Sequence, residues 1–226
     1  MMKTIRIAID GPAGAGKSTI AKLAAEKLNY TYVDTGAMYR AITYKSIENN
    51  LELSNEEAIV SLLASTKIEL QPSDLGQQVL MDDQNVSDAI RSQQVTAHVS
   101  EVSAHARVRE ELVRRQMVLA QSGGVIMDGR DIGTHVIPDA ELKIFMSATA
   151  EERARRRFVD NKERGISIEF EELKADIIRR DKFDSERKAS PLVQAQDAIY
   201  LDTTNLTIQQ VVDQIVELAK ERELQQ

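Results

Sequence analysis

Gly11-Pro12-Ala13-Gly14-Ala15-Gly16-Lys17-Ser18-Thr19 is the stretch on which the fold turns. Its first eight residues fill every position of G-x-x-x-x-G-K-[ST]. Upstream, Ile5, Ile7 and Ile9 alternate in a short apolar strand that ends at Asp10. Downstream, Lys17 to Leu28 reads as a helix. Strand, glycine-rich turn and helix is the setting in which this motif binds polyphosphate. Glycines let successive N–H groups face inward as an anion nest, and the helix N-terminus adds partial positive charge. The nine residues are the expected cradle for the phosphates of a nucleoside triphosphate. Lys17, expected to be exposed when the site is empty, would reach the β and γ phosphates, and the Ser18 hydroxyl would coordinate Mg²⁺.

Working outward, Tyr30 to Asp34 reads as a strand and Ala37 to Ile47 as a helix. Ser54 with Glu57 has the pattern of a capping box. Lys67 to Gln71 and Gln78 to Met81 read as antiparallel strands around a turn with Pro72, Asp74 and Gly76, with Val86 in a third, making a small β insertion. Ala89 to Gln121 reads as helix with a break near Ala104 to Arg107. Val125 to Asp128 and Leu142 to Met146 are buried-type strands. Thr149 with Glu152 opens an arginine-rich helix that Gly165 ends. A helix from Phe170 to Asp184, a strand from Ala198 to Asp202 and a final helix capped by Thr207 and Gln210 complete the pattern. Strands alternating with helices predict an α/β fold with a parallel sheet covered on both faces. Ligands of such sheets sit beyond the carboxyl ends of the strands, where Asp10, Asp34, Asp128 and Asp202 fall.

The 226 residues are 42% hydrophobic, enough for a sizeable core, and the 29% charged fraction with only 4 prolines argues against disorder. There are no cysteines, which fits a reducing cytoplasm. The opening MMKTIRIAIDG does not read as a signal peptide, and no stretch has the length of a membrane span. A net charge of −7 argues against a nucleic-acid polymer as partner. Against that acidic background, arginines gather at 153–157 and at 179–187. Solvated helix faces are one reading of such runs, and a small phosphorylated ligand is the other.

No guanine-reading N-K-x-D ends a strand, since Asn161-Lys-Glu-Arg164 lacks the aspartate. The transporter-ATPase string L-S-G-G-Q is absent too. What remains is Asp34-Thr-Gly-Ala-Met-Tyr-Arg40, Arg107-Val-Arg109, Asp128-Gly-Arg-Asp-Ile-Gly133 and Arg180-Asp-Lys-Phe-Asp184-Ser-Glu-Arg187. With these the whole chain resembles the bacterial cytidylate kinases, a branch of the P-loop nucleoside monophosphate kinases. The resemblance implies a five-stranded parallel core (1–35, 122–149 and 169–226), a monophosphate-binding region (36–121) and a helical lid (150–168). It implies that Arg40, Arg130 and Arg187, with Thr35, hold the acceptor phosphate. Ser100, Arg109 and Asp131 would read cytosine, and Arg180 and Asp184 would contact the sugar. Arg153 and Arg157 would close over the ATP phosphates. The expected reaction is Mg²⁺-assisted transfer from ATP to CMP or dCMP by a cytoplasmic monomer.

The residues support part of this by themselves. Planar guanidinium matches phosphate bidentately and offsets its charge. A phosphate monoester, with a second pKa of about 6, needs no strong general base, so no role falls to His98, His105 or His135. Asp128 either orients Mg²⁺ through water or caps a helix. Arg155 and Arg156 read as surface charges, and Met38 and Tyr39 as packing residues. Rival readings are a kinase for UMP or a non-nucleotide acceptor, and a nucleotide-dependent switch.

Overall fold

At the centre of the molecule lies β1 (Arg6–Asp10), hydrogen-bonded in parallel to β6 (Val125–Gly129) and β7 (Leu142–Ser147). β2 (Thr31–Asp34) flanks β6, and β8 (Ile199–Asp202) flanks β7, giving a five-stranded sheet in the order β2-β6-β1-β7-β8. This computed structural model describes residues 4–73, 76–163, 165 and 167–225. Asp74 of the expected turn, and residues 164 and 166 of the expected lid, lie outside the described residues.

The alternation in β1 sorts its side chains onto two faces. Ile5, Ile7 and Ile9 pack against Ile20 and Ala24 of α1 (Lys17–Leu28) and against Val212 and Ile215 of α8 (Ile208–Leu224). Ala8 turns the other way, toward Val33, Met127 and Ile132. Burial on both faces is why these strands read as apolar runs.

Between β2 and β6 the chain leaves the sheet. α2 (Thr35–Glu48), α3 (Glu56–Ala64), α4 (Gln93–Ala104) and α5 (Ala106–Leu119) share a core of Met38, Ile42, Leu63, Val102 and Leu112. The helical break falls at His105, whose Nε2 lies 2.7 Å from the Leu53 carbonyl. α3 is capped by Asn55, which accepts from Ala58 N; the expected cap Ser54 instead donates to Glu52. A cap needs its side chain aimed back at the first turn, and here Asn55 holds that position. β3 (Ile68–Ser73), β4 (Gly76–Met81) and β5 (Gln84–Asn85) form the antiparallel insertion, which packs Val79 and Met81 on α2. Val86 follows β5 rather than lying in it. One side chain ties this insertion to the main sheet. The Gln77 amide donates to the Tyr32 carbonyl at 2.6 Å and accepts from Asp34 N at 3.1 Å, along the outer edge of β2.

After β7, α6 (Ala150–Glu163) and α7 (Phe170–Glu186) pair through Ala154, Leu173 and Ile177. Thr149 Oγ1 accepts from Glu152 N, and Thr207 with Gln210 completes a capping box on α8. No helix among the described residues is long and apolar enough to cross a membrane.

Candidate active site

The carboxyl ends of β2 and β6, with Met146 of β7, open onto a cavity of about 800 Å³. Its floor is the part of the glycine-rich turn from Ala13 to Lys17. Gly11 has φ 148°, and a Cβ there would stand 1.9 Å from the Met146 carbonyl, so only glycine lets the turn pass β7. Gly16, at φ 86°, is the left-handed step into α1.

Lys17 is not exposed, contrary to expectation. Its side chain folds back into the turn, and Nζ donates to the carbonyls of Gly11 at 2.7 Å and Pro12 at 2.9 Å. Burial, aided by the nearby Arg130 charge, lowers its pKa to about 7.

Ser18 Oγ donates to Asp128 Oδ2 at 2.9 Å, and Tyr32 Oη donates to Asp128 Oδ1 at 2.8 Å. Asp128 therefore caps no helix. Its pKa is pushed up to about 6 by burial and by the Asp34 charge. A hydroxyl and a carboxylate in contact beside the phosphate nest are hard oxygen donors of the kind Mg²⁺ takes in ones and twos, with phosphate and water supplying the rest. The pair fits that ion. Among the described residues there is no self-sufficient metal cluster of three His, Asp or Glu.

Across the cavity from the turn is a ring of arginines held by buried carboxylates. Asp34 caps α2 through Ala37 N and pairs with Arg40 at 2.7 Å and Arg91 at 3.3 Å. Burial pushes Asp34 up, but Arg40, Arg91 and the Ala37 N–H together hold it below the usual carboxylate range. Asp184 accepts from Arg130 Nε at 2.9 Å and lies 3.8 Å from Arg187. Burial opposes its charge too, and Arg130, Arg180 and Arg187 keep it ionised. Arg180 is driven down to about 10 by burial and then by Arg130. The Nε atoms of Arg40 and Arg180 and Nη2 of Arg187 are buried without a hydrogen-bond partner. Buried donors left unpaired beside a cavity mark a place for an anion. Thr35, also on the cavity wall, donates to the Asp128 carbonyl at 2.7 Å.

Deeper in, Arg109 donates to Asp131 Oδ2 at 2.6 Å and to the Ser103 carbonyl at 3.0 Å. The two side chains are 3% and 5% exposed. The Arg109 guanidinium lies over the Tyr39 ring, 5.0 Å from its centroid. Tyr39 is thus buried as expected, yet it also lines the cavity. α4 brings Thr96, Val99 and Ser103 to this wall; Ser100 is not among the lining residues, and its carbonyl accepts from Ser103 Oγ. A helix presents positions three or four apart, and 96, 99 and 103 are that set.

Beside the glycine-rich turn the arginine-rich helix divides by register. Arg153 is buried. It donates to the carbonyls of Ala13 and Ala148, both at 2.9 Å, and forks onto Asp181 at 3.0 and 2.6 Å. It braces the phosphate turn in this conformation, while Arg155, Arg156 and Arg157 line the cavity. Arg156, expected as a surface charge, is half-buried and grips Thr203 through its carbonyl at 2.6 Å and its hydroxyl at 3.1 Å. With Leu206 and Ile208 it walls the space beside the turn. Arg91 and Ser103 belong to none of the motifs, and nothing within the quoted stretches sets Tyr39 apart from a packing residue or Arg156 apart from a surface charge. Only their placement by helix register and long-range packing brings them to the cavity.

A family model described as cytidylate kinase matches residues 7–221. A cytidylate kinase of Lysinibacillus sphaericus (strain C3-41) is 60% identical over 224 residues, covering 99% of this chain and 100% of that one. A cytidylate kinase of Geobacillus sp. (strain WCH70) is 54% identical over 222 residues, covering 98% and 99%. The crystal structure of an uncharacterized protein from Eubacterium ventriosum is similar with a TM-score of 0.53 at 11% identity, covering 97% of this chain and 99% of that one; it speaks to the fold alone.

Proposed function

The chain belongs to the cytidylate kinase family, and on that premise we infer that it moves the terminal phosphate of ATP to CMP and dCMP, forming CDP and dCDP. The observation that carries this reading is the meeting of three features in one cavity: the phosphate nest, the arginine ring and the buried Arg109–Asp131 pair.

The acceptor phosphate sits among Arg40, Arg130 and Arg187, with Thr35 at its edge. It takes over donors that Asp34 and Asp184 share or leave unpaired. Arg180 and Asp184 flank the sugar. Asp131 Oδ2 faces Arg109, which leaves Oδ1 for the amino group of cytosine. An oxygen of the acceptor phosphate attacks the γ phosphorus in line as the bond to the β-γ bridging oxygen breaks. At neutral pH that attacking oxygen is already ionised. Lys17 turns from its carbonyls to the β and γ phosphates, and Arg157 adds positive charge from the lid. Arg153 keeps the turn in shape. Catalysis is then positioning and preorganised charge. Ser18 and, through water, Asp128 would hold Mg²⁺, which neutralises charge on the β and γ phosphates when bound. Residues 36–121 carry the acceptor, and 150–168 close over the donor as a lid that excludes water. The enzyme works as a monomer on cytoplasmic nucleotides.

The test is ADP release from Mg-ATP with CMP, dCMP, UMP, AMP and GMP in turn. CMP and dCMP should lead by a wide margin. Equal turnover of UMP would overturn the base reading, and hydrolysis without acceptor stimulation would overturn the kinase reading.

A further inference from the structure

Asp131 stands at the position before a one-turn helix, Ile132–Val136, where an aspartate ordinarily caps. It does not cap, because its carboxylate is committed to Arg109. The leading N–H groups of that turn are satisfied from another strand. Ile132 N donates to Asp10 Oδ1 at 2.8 Å and Gly133 N to Asp10 Oδ2 at 2.7 Å. Asp10 is the last residue of β1, directly before Gly11 of the phosphate turn, and is buried.

We propose that Asp10 is a positioning residue for acceptor recognition: by capping the turn in place of Asp131, it leaves Asp131 free to pair with Arg109 and face the base. The inference rests on the reading of Asp131 as the cytosine contact. It follows from competition for one carboxylate. A turn with two uncapped N–H groups in a dry interior draws in the nearest acceptor. That acceptor is Asp131, one residue away, and a rotation toward its own turn would break the pair with Arg109. Asp10 also spans the two halves of the site. Its backbone leads into the donor cradle and its side chain fixes the loop carrying Arg130 and Asp131. Both oxygens are engaged, so a carboxamide at this position can accept from only one of the two N–H groups.

The experiment measures kcat and KM for CMP, UMP and ATP in Asp10→Asn, Asp131→Ala and the double variant. One unpaired buried donor corresponds to about a tenfold effect. In Asp10→Asn the KM for CMP should rise, and the CMP-to-UMP ratio of kcat/KM should fall, each by about that factor. KM for ATP should stay within about threefold, because the Asp10 carboxylate bonds Ile132 N and Gly133 N rather than groups of the phosphate turn. In the Asp131→Ala background, Asp10→Asn should leave the ratio unchanged, since the group it positions is gone. If Asp10→Asn does not fold, Gly133→Ala gives the second perturbation: its Cβ would meet Lys143 Cδ at 3.1 Å and Asp10 Oδ2 at 3.4 Å. It should lower the same ratio with the carboxylate intact. A wild-type ratio in the folded variant, or a loss confined to ATP, overturns the proposal. If Asp131→Ala collapses the ratio while Asp10→Asn keeps it, the base reading stands and only the positioning role falls. If Asp131→Ala itself leaves the ratio untouched, both fall.

Discussion

Asp131→Asn should turn base preference rather than merely reduce activity. Asparagine keeps the shape of the side chain, and its carbonyl oxygen can still accept from Arg109 across the 2.6 Å contact. Its amide NH₂ then takes the place of Oδ1. Cytosine presents an amino donor there, so two donors meet; uracil presents a carbonyl, which the amide satisfies. A buried donor left unpaired costs about 1–3 kcal/mol, which is about five- to 150-fold in kcat/KM. The penalty falls on CMP alone, so the CMP-to-UMP ratio should drop by at least that range's lower bound. Stability falls as well, because Arg109 and Arg187 lose the charge that faces them at 2.6 and 3.9 Å. Steady-state ADP release with each acceptor gives the ratio, and thermal unfolding without ligand separates the two effects. A lowered unfolding midpoint with a CMP-to-UMP ratio within about twofold of wild type would make Asp131 a structural counter-ion and refute the reasoning.

Lys17→Met should cut kcat by about a thousandfold, since it removes charge preorganised for the transferring group; the fold should survive, and single-turnover kinetics with CMP check both points. Arg153→Lys should raise KM for ATP and lower the unfolding midpoint, because an ammonium cannot reproduce a fork onto Asp181 together with bonds to Ala13 and Ala148; a wild-type KM for ATP would refute its role as a brace. For pH, Asp10 and Asp128 are raised to about 6, burial being the main cause. The native state therefore binds protons at a pH where the unfolded chain's carboxylates are still ionised, and stability rises as pH falls through about 6 toward 5. Depressed groups such as Asp34 and Asp184 lose their contribution only below the ordinary carboxylate range. The ligand-free unfolding midpoint should hold or rise between about pH 7 and 5, and a steady decline over that window would contradict this assignment.

The phosphate turn, the strand order of burial and the acidic strand ends were legible in the sequence because each is local. A glycine pattern states backbone geometry, and an apolar run states burial on both faces. Helix register was less legible. Arg153 and Arg156 lie three apart in one charged run, and only packing against Asp181 and Thr203 separates the brace from the cavity wall. The same holds for Ser100 and Ser103, where one face of α4 looks inward. The retreat of Lys17 onto Gly11 and Pro12 depends on which acceptors lie near in space, which composition does not encode. Asp10 is the extreme case. Its partners are 122 and 123 residues away, and nothing near it in sequence announces them.

The Gln77 amide on the outer rim of β2 has a consequence for the molecule in a crowded solution. β2 borders the sheet, and a bordering strand offers unpaired peptide groups to any passing chain. By donating to the Tyr32 carbonyl and accepting from Asp34 N, one side chain imitates a two-bond fragment of a sixth strand. It seals the margin while stopping the sheet from growing there. Losing that seal would leave kinetics on dilute enzyme nearly intact and would show itself instead as self-association at high concentration.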